Sequence, residues 1–128
     1  MNDKHEEWLK QADYDMGTAD ALFRSGRYFY AVFMCHLAIE KALKGLYVEV
    51  LDSTPPKTHN LLYLLDKIGK KPGHALEKFM TKLNTASVAT RYPDDLEKIQ
   101  AAYTEDITKD MITNSKEVLA WVKTQFST

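Results

Sequence analysis

Residues 28–51, YFYAVFMCHLAIEKALKGLYVEVL, form an almost entirely apolar stretch that carries His36, Glu40, Lys41 and Lys44 near its middle. The spacing predicts one helix of about 36 Å, at 1.5 Å per residue, with a broad apolar face. His36, Glu40 and Lys44 follow one another at intervals of four, so they share another side of this helix. Because an unpaired buried charge is costly, these groups either pair within the packed domain or line a polar groove in a dimeric or ligand-binding bundle.

The remaining sequence also has the helical period, and no segment alternates apolar and polar residues as a strand would. Gly26, the Pro55-Pro56 pair and the GKKPG segment at 69–73 separate the helical stretches. The predicted helices are residues 4–25, 28–51, 59–68 and 74–85, then, after a loop at 84–93, a helical region that reaches about residue 126. The expected N-caps are Asp3, Thr58 and Asp94, and a further cap at Thr104 leaves open whether the last region is one helix or two.

The short connections between these helices favour antiparallel neighbours. The sequence therefore predicts a single domain over residues 1–128 with an all-α fold. We expect an up-and-down helical bundle of four long helices plus one or two short helices.

The charge balance limits the classes of partner. The chain has 17 Lys+Arg against 18 Asp+Glu, a formal net charge of −1, which argues against a general nucleic-acid coat protein. Five lysines nevertheless lie close together in sequence, and they form either a solvated face or a local basic site. They are Lys67, Lys70, Lys71, Lys78 and Lys82.

The location of the protein is also suggested by its sequence. One cysteine allows no internal disulfide, which suits a reducing compartment. The polar N-terminus lacks the apolar region of a secretory signal, and no stretch approaches the ~20 apolar residues of a membrane span. We expect a cytoplasmic protein with no membrane partner.

Four sequence blocks together resemble the HEPN domain, a family named for nucleotide-binding proteins of higher eukaryotes and prokaryotes. They are QADYDMGTADAL (11–22), SGRYFYAVFMCHLAIEKALKGL (25–46), KTHNLLYLL (57–65) and RYPDD (91–95). The resemblance implies a small helical bundle that is usually dimeric. It also implies one of three roles: an RNA-cleaving toxin, a partner of a minimal nucleotidyltransferase, or a protein that binds nucleotides without cleaving them.

The sequence departs from the pattern of the ribonuclease members, in which an Arg is followed four to six residues later by a His. No His follows Arg91, and the first His after Arg27 is His36, which is outside that spacing. RNA cleavage without a metal needs a group that titrates near neutral pH, and His is the usual choice. We therefore expect no catalytic residue and favour a protein that is not an enzyme.

The resemblance suggests a ligand-binding groove made of six residues, which are Asp15, Glu40, Lys44, His59, Arg91 and Tyr92. Arg91 would bind a phosphate, Tyr92 would stack on a base, and His59 with the following backbone amides would form an anion site. Each residue also has a structural alternative. Arg91 could pair with Asp15 or Glu40, Tyr92 could pack in a turn, and His59 could bond to the neighbouring loop.

No phosphate-binding glycine motif is present, and His36 with Glu40 alone is weak support for a metal, so we expect no cofactor and no metal site. The first hypothesis is a non-catalytic, homodimeric HEPN protein that binds a nucleotide or RNA and works with a minimal nucleotidyltransferase in a toxin–antitoxin-like pair. The alternatives are a divergent HEPN ribonuclease toxin and a purely structural oligomerisation module.

Overall fold

The computed structural model describes residues 4–127, and these residues form six helices with no strand among them. The helices are α1 (Lys4–Arg24), α2 (Tyr28–Leu51), α3 (Leu61–Ile68), α4 (His74–Arg91), α5 (Leu96–Ala102) and α6 (Glu105–Thr124). Four of them are long and two are short, which confirms the predicted all-α class and architecture. The predicted bounds of α2 are also confirmed. Within the described residues, no helix combines the length and apolar character needed to cross a membrane.

Helix α2 is the centre of the domain, because α1, α3, α4 and α6 all pack against it. Its fully buried side chains include Val32, Ile39, Leu43 and Leu46. Gly45 lets α1 approach closely: a Cβ atom at this position would lie only 2.9 Å from the Cβ of Trp8. The absence of a side chain at Gly45 therefore sets the distance between the two longest helices.

The start of α3 differs from the prediction, in which Thr58 capped a helix beginning at His59. The helix begins at Leu61, and its cap is Asn60, whose side chain accepts hydrogen bonds from the amides of Leu62 and Tyr63. The Thr58 hydroxyl instead accepts a hydrogen bond from the Asn60 amide. Thr58 thus orients the residue that caps the helix.

The predicted loop at residues 84–93 is wrong over most of its length, because α4 continues to Arg91. The polar residues that suggested a loop are helical. Ser87 and Thr90 are buried, and their hydroxyls donate to the carbonyl oxygens of Asn84 and Ala86. A hydroxyl satisfied within its own helix can face the core at little cost.

The last region is two helices, which the sequence had left open. Asp95, not the predicted Asp94, caps α5 by accepting from the Lys98 amide. Thr104 caps α6 by accepting from the Ile107 amide, as the sequence allowed. Ile107 lies in the first turn of α6 and is 41% exposed. The predicted cap at Asp3 lies outside the described residues.

Candidate functional site

The Glu40 carboxylate is the buried charge at the centre of the candidate site. Its side chain is only 5% exposed, and each of its oxygens has a cationic or N–H partner. Lys44, one turn later on α2, donates from Nζ to Oε2 at 2.9 Å. His59, from the connection before α3, donates from Nδ1 to Oε1 at 2.8 Å. Pairing both oxygens offsets the cost of removing this charge from water.

The hydrogen bond to Glu40 orients the His59 ring. Because Nδ1 donates to the carboxylate, the neutral form of the ring has its lone pair on Nε2. The His59 side chain is 58% exposed. The ring is therefore held by a buried acid at one nitrogen while much of its surface faces solvent.

Asn84 of α4 joins the same cluster through three hydrogen bonds. Its Oδ1 accepts from the Leu61 amide at 3.1 Å and from His36 Nε2 at 3.2 Å, and its Nδ2 donates to Asn60 Oδ1 at 3.0 Å. A backbone amide can only donate, so the Asn84 oxygen is the acceptor and His36 Nε2 carries the proton. Asn84 thereby connects α4 to both α2 and the start of α3.

His36 is fully buried, and this burial lowers the pKa of its ring below the ordinary value of 6.5. In the neutral ring the proton is on Nε2, so Nδ1 is unprotonated. That nitrogen has no hydrogen-bond partner among residues 4–127 and lies 3.9 Å from Oε1 of Glu40. His36 is thus a buried structural residue of the cluster.

The amides that follow His59 are already occupied. The Leu61 amide donates to Asn84, and those of Leu62 and Tyr63 donate to Asn60. The anion site that the sequence analysis expected at these amides is therefore not available. At this point the geometry agrees with the structural alternative, in which residues 59–60 fix the connection to α3.

Arg91 lies at the end of α4, with its guanidinium carbon 5.1 Å from the centroid of the Phe33 ring. It pairs with neither of the acids that the sequence analysis considered, because both have other partners. Asp15 pairs with Lys41 at 3.0 Å, and Glu40 pairs with Lys44 and His59. No other acid within residues 4–127 pairs with Arg91 either. Tyr92, the next residue, is 80% exposed.

The six predicted site residues are only partly brought together. Glu40, Lys44 and His59 are in contact. Arg91 lies over Phe33 on the same face of α2. Phe33 is seven residues before Glu40, so the two positions are two helical turns, or about 10 Å, apart. Asp15 belongs to a separate ion pair.

The sequence patterns indicated no role for Asn60, Asn84 or Phe33. Asn84 was missed because its segment was expected to be a loop. A helical register continued from Met80 and Leu83 would have placed it close to the inward face of α4. Among the described residues, no group of three or more His, Cys, Asp or Glu side chains could hold a metal ion.

The family is shown by comparison with known proteins. The HEPN domain family model matches residues 5–125, so the chain belongs to the HEPN domain family. The crystal structure of TT1696 from Thermus thermophilus is similar, with a TM-score of 0.83 and 26% identity over 98% of this chain and 100% of that one. The crystal structure of ST0689, an archaeal HEPN homologue, has a TM-score of 0.76 and 26% identity over 98% of each chain. No curated protein matches the chain.

The buried ion pair predicts a large effect of Glu40→Ala on stability. The substitution leaves the mostly buried Lys44 ammonium without its carboxylate and removes the acceptor of His59. We expect the free energy of unfolding to fall by about 3–5 kcal/mol, measured by urea denaturation at neutral pH.

The matched control is Asp13→Ala, which removes the exposed ion pair with Lys123. Its expected loss is at most about 1 kcal/mol, because surface pairs contribute little. Equal losses in the two variants would contradict the central role given to Glu40.

Proposed function

We propose that this chain is a non-catalytic HEPN protein that forms a homodimer, binds a nucleotide or RNA, and works with a minimal nucleotidyltransferase. The observation that best supports the binding role is that Arg91 has no acidic partner among the described residues. Its guanidinium lies over Phe33 and makes no ion pair within the described residues, while the adjacent Tyr92 ring is exposed. A cation without an internal acid, beside an exposed aromatic ring, suits a ligand with a phosphate and a base.

The chemistry of the two side chains is complementary. A guanidinium can bind two phosphate oxygens through parallel N–H donors. The contact with Phe33 already limits the conformations of the Arg91 side chain, so less side-chain entropy is lost when a ligand binds. An exposed tyrosine ring offers a stacking surface that accepts any base. Arg91 and Tyr92 would therefore recognise the features that all nucleotides share.

The histidines support binding without cleavage. The chain has four histidines, at positions 5, 36, 59 and 74, and none follows Arg91. His36 is buried and bonded to Asn84. His59 is bonded to Glu40, about two turns of α2 away from the ring that Arg91 covers. The sequence therefore lacks a His four to six residues after Arg91, which would supply the imidazole for proton transfer in RNA cleavage.

The surface of α2 supports the homodimer. Phe33 and Leu37 lie on one side of this helix and are half-buried. Neither belongs to the hydrophobic core or to the partly buried side chains that pack against it within residues 4–127. Tyr30, one turn earlier, is 48% exposed. Partly exposed apolar side chains grouped in this way are typical of protein interfaces.

The binding role predicts that Arg91→Ala removes ligand-induced stabilisation. A nucleotide at a hundred times its Kd adds about 2.7 kcal/mol, so a thermal-shift panel with ATP, GTP and a short single-stranded RNA should reveal it. We expect the wild-type protein to be stabilised by at least one of these ligands. The Arg91→Ala protein should lose that shift, because the phosphate loses its bidentate donor.

Arg27→Ala is the control for this experiment, since Arg27 is an exposed arginine that likewise makes no ion pair in the described chain. It should keep the wild-type shift. No shift with any ligand would favour the purely structural module. Cleavage of the RNA by wild type, lost in Arg91→Ala, would instead favour the divergent ribonuclease.

The dimer predicts that Leu37→Glu gives a monomer. A carboxylate in the centre of an apolar interface would be desolvated without a partner, which costs several kcal/mol. Light scattering after gel filtration at micromolar concentration should give twice the chain mass for wild type and the chain mass for the variant. Thr113→Glu, on an exposed position of α6, is the control and should remain dimeric. A monomeric wild-type protein would refute this part of the proposal.

The nucleotidyltransferase partner is supported by the family resemblance alone. If it is correct, the purified protein and a minimal nucleotidyltransferase encoded beside it should elute together in gel filtration. Separate elution at concentrations well above micromolar would remove this part of the proposal and leave the binding role intact.

A further inference from the structure

The charge of the molecule is strongly uneven along the chain. Residues 57–82 carry six lysines against two acids, Asp66 and Glu77, for a formal charge of +4. The other 11 Lys+Arg oppose 16 Asp+Glu, for a formal charge of −5. The nearly neutral total therefore hides one basic region, which includes α3 and the first half of α4.

The lysines of this region make no ion pair with an acid of the described residues, and two acids, Asp66 and Glu77, line the same cavities. The ion pairs of the described residues use Lys41, Lys44, Lys116 and Lys123, together with His36 and His59. None involves Lys70, Lys71, Lys78 or Lys82. Lys67 instead lies 5.5 Å from the centroid of the Tyr63 ring. This concentration of unpaired positive charge favours an external anion with several charges.

The same lysines line a groove between α3 and α4. Two adjoining cavities of about 790 and 360 Å³ share Leu62 and Glu77 as lining residues. Lys78 and Lys82 line the larger cavity, and Lys70 and Lys71 line the smaller one. The basic region is thus a groove on the surface of the protein, with lysine side chains along its length.

The exposed face of α4 connects this groove with the Arg91–Tyr92 site. Lys78, Lys82, Thr85 and Val88 follow one another at helical spacing on α4, Tyr92 is the first residue after the helix, and all five are exposed. From Lys78 to Tyr92 the face extends about 21 Å at 1.5 Å per residue. Cations therefore occupy one end of a continuous surface, and an exposed aromatic ring occupies the other.

We propose that the outer face of α4 binds a single-stranded RNA of several nucleotides, with phosphates on Lys78 and Lys82 and a base stacked on Tyr92. This inference rests on the proposed function, because its Tyr92 end is the proposed nucleotide site. Lys78 and Lys82 are one helical turn apart, about 6 Å, which is comparable to the separation of successive phosphates in an extended strand. Proteins that bind single-stranded nucleic acids commonly combine a row of cationic side chains with an aromatic ring on which a base stacks.

Two hydroxyls favour RNA over DNA. Thr81 and Thr85 line the groove, and each donates its hydroxyl proton to a carbonyl oxygen of its own helix, of Glu77 and of Thr81 respectively. Their oxygen lone pairs remain able to accept a hydrogen bond. The 2′-hydroxyl of RNA supplies such a donor from the sugar of each nucleotide, and the deoxyribose of DNA does not.

The test is the salt dependence of RNA affinity. Fluorescence anisotropy with a labelled oligouridylate of about 12 nucleotides gives log K as a function of log [KCl] for wild type and for the Lys78→Gln/Lys82→Gln double variant. Each phosphate contact on a single strand contributes about 0.7 to the slope. We expect the slope to be shallower by about 1.4 in the double variant, whose exposed substitutions should leave the Tm unchanged.

The matched control is Lys10→Gln/Lys109→Gln, which removes the same charge from exposed positions on α1 and α6 that make no ion pair among the described residues. It should keep the wild-type slope. An unchanged slope in the Lys78/Lys82 variant, or the same reduction in the control, would overturn the proposal. So would equal affinity for a DNA oligonucleotide of the same length, or tighter binding of a polyglutamate peptide.

Failure of this inference is distinguishable from failure of the proposed function. The Lys78→Gln/Lys82→Gln variant should keep the thermal shift with a mononucleotide, because that ligand reaches only Arg91 and Tyr92. A normal mononucleotide shift together with an unchanged RNA slope would refute the α4 surface alone. An Arg91→Ala protein that keeps the mononucleotide shift would refute the nucleotide site itself.

Discussion

The buried carboxylate of Glu40 is the constraint on which the rest of the structure depends. An acid almost removed from water on the central helix must have both oxygens paired, and the cost of leaving such a charge unpaired is several kcal/mol. Lys44 satisfies one oxygen from the same helix, but the other needs His59, which lies beyond the end of α2. The connection between α2 and α3 therefore has to return along α2. Asn60 and Asn84 then secure that return by capping α3 and bonding α4 to it.

The same pairing explains why Arg91 is available for a ligand. Asp15 and Glu40 are the buried acids of the described residues, and both are used by lysines or histidine of the central helix and its neighbours. Arg91 consequently rests on the Phe33 ring, where its charge is only weakly compensated. This distribution of charges supports the proposal that Arg91 binds a phosphate.

The two faces of helix α4 differ sharply in composition. Its inner face is made of Met80, Leu83, Ser87 and Thr90, which are buried against the bundle, with the hydroxyls satisfied within the helix. Its outer face carries lysines and threonines, and the exposed Tyr92 follows directly after its last residue. The packing of the inner face fixes the helix backbone, so the helix itself would lose little conformational entropy on binding an anionic strand.

The sequence by itself determined the all-α class, the bounds of α2 and the placement of Glu40 and Lys44 on one side of that helix, because these depend on neighbours within one or two helical turns. It also identified the basic lysine cluster and the absence of a histidine after Arg91. Only the tertiary structure decided where α4 ends and which groups complete the Glu40 site. His59 and Asn84 reach α2 from 19 and 48 residues away along the chain, and no local pattern encodes such a pairing. The buried hydroxyls that made residues 84–91 resemble a loop are compatible with a helix only because the core packs against them. The sequence also could not decide whether Arg91 pairs with Asp15 or Glu40. That outcome depends on which cations the packed helices place next to these acids.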